Sequence, residues 1–220
     1  VVAGIMISPV SGSPLSTYAA DHLGWRVAYC TIAGLGIFCL LGIWYFIPTD
    51  RPKPGVSALS ELGALKRPQV LLTLLTGAVG FGGMFGVYTF LTSALSHVTH
   101  LPDWGVALYQ IVWGLGMVAG NALGSNMIDR NLDRTAICAL MASVLFMLGF
   151  WLLLPSPWAM LPITFLLPAA TIILSPAMQS RLMEVAGDAQ TLAASLNHSA
   201  FNIANAIGAW QGAFLVGAGY

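Results

Sequence analysis

An all-α bundle of membrane-spanning helices is the fold class this sequence predicts, and three observations predict it. Hydrophobic residues fill 57% of the 220 positions while Asp, Glu, Lys and Arg together fill 7%, against about 25% charged in a domain whose surface faces water. Seven apolar runs reach or approach the roughly 20 residues that a helix needs to cross hydrocarbon. The charged side chains fall in the gaps between these runs or at their edges. A surface so poor in charge needs lipid as its solvent. The formal net charge of zero gives no electrostatic footprint for nucleic acid.

In chain order the runs are 1–20, 27–47, 69–95, 105–127, 135–154, 159–178 and 191–217. The first begins at Val1, already inside apolar sequence and with no signal peptide in view, so we expect the chain to be part of a longer protein. Internal Gly and Pro do not argue against helix here, since both are tolerated in spanning helices. Cys30, Cys39 and Cys138 lie in apolar runs without disulfide or metal spacing, and are expected to be small packing residues.

The gaps alternate between the two sides of the membrane, which lets basic residues be counted by side. One side receives Arg51, Lys53, Lys66, Arg67, Arg130, Arg134 and Arg181; the other receives only Arg26. Seven against one is the positive-inside pattern, so the richer side is expected to be cytoplasmic and Val1 to enter from it. A missed or invented span would collapse the asymmetry. The gap 48–68 opens with Pro48, Pro52, Pro54 and Gly55, then sets Leu59, Leu62 and Leu65 beside Lys66 and Arg67. That reads as a linker followed by a short amphipathic helix on the cytoplasmic membrane surface. Residues 1–47 are then one pair of helices, 48–68 the linker and 69–220 a group of five helices.

With charge excluded from the bilayer, function is sought in uncharged polar groups that face the bundle interior. An unpartnered hydroxyl or amide in an apolar setting costs about 1–3 kcal/mol, so such groups should cluster on protein-facing sides. In the last run His198, Asn202, Asn205, Ala209 and Gly212 share one helix face. The fourth repeats the pattern with Gln110, Gly114, Met117, Asn121 and Gly124, and the sixth with Thr164, Pro168, Thr171, Ser175 and Gln179. The third adds Gly77, Phe81, Met84 and Tyr88. Each stripe lines either a helix interface or a wet cavity. Gly116, Gly120 and Gly124 suit close helix packing. His198 is the one strongly titratable group well inside a run: a neutral hydrogen-bonding histidine is the plainer reading and a proton carrier the sharper one. His97 and His100 read as a loop pair rather than a metal site, so neither metal nor cofactor is expected.

Three local patterns resemble the major facilitator superfamily, in particular bacterial drug and sugar efflux permeases of the arabinose-efflux type. Gly12-Ser13-Pro14-Leu15 followed by Gly24-Trp25-Arg26 looks like the family's fifth helix and outer turn, where antiporters carry a Gly-Pro motif; Ser16 stands where another Gly is usual. Gly124 through Asp129-Arg130 and Arg134 looks like the second-half copy of the cytoplasmic Gly/Asp-Arg loop, with Leu132 and Asp133 replacing a small and a basic residue. The stretch 192–208, including Asn197-His198-Ser199-Ala200-Phe201-Asn202, looks like the eleventh helix.

The resemblance implies a major-facilitator-like bundle of two pseudo-symmetric halves. The chain would cover helices five to eleven of twelve, with an incomplete N-terminal half and 48–68 as the central loop. It implies alternating access around a site near the bilayer midplane, a bend in the fifth helix at Gly12 and Pro14, and a cytoplasmic gate formed by Asp129, Arg130 and Arg134. The leading expectation is therefore a secondary transporter of the bacterial inner membrane, exporting a small neutral or amphiphilic solute, drug or sugar, by proton antiport. Its partners would be that solute, membrane lipid and protons. The cavity candidates are Phe81, Tyr88, Gln110, Trp113, Asn121, His198, Asn202 and Asn205. A solute-uptake permease on the same fold is the alternative, and a non-transporting bundle a more distant one. A membrane-embedded enzyme would need catalytic carboxylates or clustered ligands at membrane depth, and the eight acidic residues lie in loops or at helix ends.

Overall fold

The computed structural model describes residues 12–46, 63–187 and 189–217. Most of the first apolar run, and the stretch holding Arg51, Lys53, Leu59 and Leu62, lie outside the described residues. The chain divides into two compact units, Val1–Val56 and Ser57–Tyr220, and the boundary falls inside 48–68.

In the first unit α1 (Ser13–Leu23) and α2 (Trp25–Phe46) are joined through Gly24 alone. Gly24 holds φ 88° and ψ 149°, a conformation that costs an L-residue dearly but not glycine. Its surroundings are open, so the demand is conformational rather than steric. Arg26 lies over the Trp25 ring at 5.3 Å. On α2 the one buried residue is Ala28; Ile32, Phe38 and Leu41 are exposed, as expected of a helix whose covering is lipid or further helices.

The second unit opens with a 3-10 turn (Gly63–Lys66) and continues as α3 (Pro68–His97), α4 (Asp103–Ile128), α5 (Leu132–Leu153), α6 (Pro157–Ile172), α7 (Leu174–Ala186) and α8 (Gln190–Gly217). Of the expected surface helix, Gly63–Lys66 is therefore a 3-10 turn rather than an amphipathic α-helix. The run 159–178, read as one helix, is broken at Ile173 and continues to Ala186. Pro176 explains the break: it offers no N–H to the Ile172 carbonyl and its ring crowds that turn. Together, Pro157–Ala186 remains one of five described segments long and apolar enough to cross a membrane, with α2, α3, α4 and α5.

Long-range hydrogen bonds fix an antiparallel arrangement. At one end Arg67 Nη1 donates to the Val185 carbonyl (3.0 Å) and the Thr135 hydroxyl to the Met127 carbonyl (3.0 Å). At the other end the Thr99 hydroxyl donates to the Leu154 carbonyl (2.7 Å) and the Tyr109 hydroxyl to the Pro157 carbonyl. Arg67, Arg130, Arg134 and Arg181 thus gather at one end of this unit. Trp104, Trp151 and Trp158, all exposed, gather at the other. Amphipathic indoles at one rim and guanidiniums at the opposite one are the marks of two membrane interfaces.

Two close helix contacts hold the unit. Gly116, Gly120 and Gly124 on α4 face Phe165, Ala169 and Ile173 on the α6 side, so closely that a Cβ on Gly116 or Gly120 would overlap a backbone carbonyl oxygen. The small-residue stripe foreseen in the fourth run is a real helix contact. Gly208 on α8 meets Gly82 and Gly86 on α3 in the same manner. Around these crossings Phe81, Met84, Trp113, Met160 and Leu167 form the core. Outside lies an apolar shell including Leu72, Val79, Leu145 and Leu152, far more than a water-soluble monomer exposes. Cys138 belongs to that exposed surface, and Cys30 and Cys39 are exposed on α2 of the first unit, so none of the three packs inside its own unit as expected; in lipid an outward apolar thiol carries no penalty.

Candidate functional site

α8 has three distinct faces. Asn197, Ala200, Ala204 and Gly208 are buried and recur at spacings of three and four. Of these, Ala204 and Gly208 meet the glycines of α3. His198 and Asn205 each follow a buried residue by one position, and Asn202 follows Phe201, which packs on Phe81, so all three turn to one flank; all three are exposed. Ile203 and Ile207 each precede a packed residue, turning them to the opposite flank, where both are exposed. The polar stripe therefore parts at its ends. Gly212 closes on the Phe90 ring, while the amides and imidazole point away from the unit's own core. His198 is no buried histidine: it is exposed, with its ring edge-on to Phe201 at 6.2 Å.

Of the remaining cavity candidates, Phe81 lies between α3 and α8, and Tyr88, Gln110 and Trp113 lie between α3 and α4. Phe81 is 1% exposed and packs on Phe201 at 4.3 Å. Trp113, also 1% exposed, lies against half-buried Tyr88 at 5.4 Å. One turn along α4, Gln110 donates through Nε2 to the Thr92 hydroxyl (3.0 Å), and its buried Oε1 has no partner among the described residues. Thr92 escaped the sequence reading, although its place four residues after Tyr88 puts both on one helix face. Asn121 is half-buried further along α4. The structure thus brings Phe81, Tyr88, Gln110 and Trp113 into the interior and leaves His198, Asn202 and Asn205 accessible.

Two further buried polar pairs cross between helices: Ser143 with Thr171 (2.9 Å, α5 to α6) and Asn197 Nδ2 donating to Gln179 Oε1 (2.9 Å, α8 to α7). Thr171 and Gln179 of the sixth-run stripe therefore join helices.

At the basic end Asp129, Arg130 and Arg134 are all exposed. Among the described residues the ion pair is Arg181 with Glu184 (3.3 Å), so the loop's own charges are not paired with one another. Asn131 caps α5, its Oδ1 accepting from the Arg134 N–H at 2.9 Å. Beside it opens a cleft of about 410 Å³ between α3, α5 and α7, with Asp133 and Arg181 at its rim; nothing in the sequence pattern announced it. In the first unit Gly12 is exposed and precedes α1, while Pro14 occupies its first turn.

Apolar spans, an indole rim and a basic rim define a multi-pass α-helical integral membrane protein. The chain belongs to the major facilitator superfamily, whose sequence model matches residues 1–209. It is similar to the inner membrane transport protein YdhP of Escherichia coli K12, at 32% identity over 216 residues, 98% of this chain and 56% of that protein. It is also similar to the MFS-type transporter YfhI of Bacillus subtilis 168, at 30% over 213 residues, 97% of this chain and 54% of YfhI. A chloramphenicol resistance protein of Streptomyces lividans is 28% identical over 216 residues, 94% of this chain and 54% of that one. The chain spans about half the length of the curated relatives it matches.

Proposed function

We propose that the protein is a secondary transporter of the bacterial inner membrane, exporting a small neutral or amphiphilic solute by alternating access in exchange for protons. The observation that carries this reading is the three-faced α8: a polar flank at membrane depth, separated from an apolar flank by a glycine-packed edge, suits a wet solute path on one side and lipid on the other. In lipid alone, His198, Asn202 and Asn205 would each lack a partner at a cost of kilocalories per mole. In this reading half-buried Tyr88 and Asn121 extend a mixed aromatic and amide lining, with Phe81, Trp113 and Gln110 buried in the core behind them. Such a lining favours neutral solutes over strongly ionic ones.

In this reading residues 1–47 belong to one half of the transporter, 48–68 link the halves and 69–220 belong to the second. Gly12 and Pro14 let the chain bend where it enters α1, and Asp129, Arg130 and Arg134 make a cytoplasmic gate contact that breaks as access alternates. The relative named for chloramphenicol resistance makes chloramphenicol the first solute to try. In proteoliposomes holding the intact protein, an imposed pH gradient is expected to drive chloramphenicol or a similar solute against its concentration. Flux indifferent to the gradient removes the proton coupling, and flux only in the uptake direction makes the protein a permease.

Site accessibility is a separate test. Cysteines placed at 198, 202 and 205 in a cysteine-free background are expected to react with a membrane-impermeant maleimide. Those at 203 and 207 are expected to stay unreactive. Equal reactivity on both flanks of α8 ends the cavity assignment.

A further inference from the structure

The geometry points to a binding site for the phosphate of an anionic phospholipid at the basic end of α5, between Arg130 and Arg134. The two arginines line a cleft of about 240 Å³ together with Met127, Asn131, Thr135 and Cys138. Two of its other polar groups are already engaged: Asn131 Oδ1 accepts from the Arg134 N–H, and the Thr135 hydroxyl serves the Met127 and Asn131 carbonyls. Neither guanidinium forms an ion pair among the described residues. Among the described residues no carboxylate lines the cleft; Asp133 turns into the neighbouring one beside Arg181. Two forked, permanently charged donors around one anion-sized space match a phosphodiester, which arginine grips through two hydrogen bonds at once.

The surface leading away from the cleft names the rest of the occupant. Arg134, Cys138, Met141 and Leu145 succeed one another at spacings of four, three and four, and all are exposed. From Arg134 to Leu145 the helix rises about 16 Å, the depth of one leaflet in a hydrocarbon core of about 30 Å. A free phosphate would use only the two arginines. A phospholipid uses the arginines and lays an acyl chain along Cys138, Met141 and Leu145. Basic clefts at the rim of spanning helices attract acidic headgroups on the same physical grounds. The site rests on this fold and not on the transport proposal, since flux and lipid retention are read separately.

Native mass spectrometry of the intact protein, released from micelles with equal phosphatidylglycerol and phosphatidylcholine, tests the assignment. Retention of phosphatidylglycerol over phosphatidylcholine is expected, and R130Q/R134Q should weaken it roughly thirtyfold, the combined pull of two basic residues on an anionic headgroup. Equal retention of the two lipids, or retention undiminished in the double variant, overturns the site. Should the variant fail to fold, Cys138 serves as a reporter without any substitution. Its alkylation by N-ethylmaleimide should slow severalfold when short-chain phosphatidylglycerol is added, relative to the same amount of inorganic phosphate. Equal slowing by inorganic phosphate overturns the phospholipid assignment, and no slowing by either overturns the site.

Discussion

Replacing Gly120 with leucine is expected to prevent α4 from docking on α6 and to leave little folded protein. A Cβ at that position would overlap the Ala169 carbonyl oxygen and come within 2.6 Å of Ile172 Cγ2. A side chain in the way can rotate aside; a carbonyl of a helix backbone cannot. Ordinary overpacking of a core costs about 1–3 kcal/mol, and a whole isobutyl group against backbone should exceed the top of that range. Gly120→Ala should fall within the range and survive at a lower melting temperature. The check is thermal unfolding followed by fluorescence-detected gel filtration in detergent. Leu123→Ala, on the exposed side of the same helix, is the control and should shift stability by less than about 0.5 kcal/mol. A Gly120→Leu protein that melts like the parent would mean that α4 and α6 do not pack at this point.

Truncating Trp113 to alanine carries the second large expectation. Its indole is among the largest fully buried side chains and packs on Tyr88 with ring centroids 5.4 Å apart. Removing such a group costs about 3–5 kcal/mol where the surroundings cannot collapse, so Trp113→Ala should lower the melting temperature sharply. Trp113→Phe keeps most of the volume and should fold. If the indole also borders the solute path, Trp113→Phe alters solute flux in proteoliposomes while melting stays near that of the parent. A Trp113→Ala variant with unchanged melting would place the ring in a cavity able to relax, contrary to its contacts.

Much of this architecture was legible before any coordinates. The apolar runs at 27–47, 69–95, 105–127, 135–154 and 191–217 each match a helix whose ends fall within a few residues of theirs, because length and apolarity are properties of each segment alone. The glycine triplet of α4 announced its close contact for the same reason: a spacing of four puts small residues on one face whatever lies opposite. The break at Ile173 was less visible. Pro176 signals it locally, yet the apolar run passes through without a charged interruption and reads as one continuous span. The extension to Ala186 was also hidden, since a helix can outrun the hydrocarbon into sequence that is charged.

The candidate site divides along the same line. Periodicity grouped His198 with Asn202 and Asn205, and Gln110 with Asn121, because helical geometry alone fixes which residues share a face. It could not tell whether a face meets a neighbour. Packing of Ala204 and Gly208 on α3 turned the polar flank of α8 outward, while the docking of α3 on α4 drew Gln110, Tyr88 and Trp113 inward.

Composition and the segregation of charge by themselves determined that this is a lipid-embedded helical bundle, and motif likeness pointed to its family. Which polar groups join helices and which stay accessible was decided only by tertiary structure. The former follow from bonds and solvation local to each segment, whereas the latter depend on contacts between residues a hundred or more positions apart, such as Gly82 with Ala204.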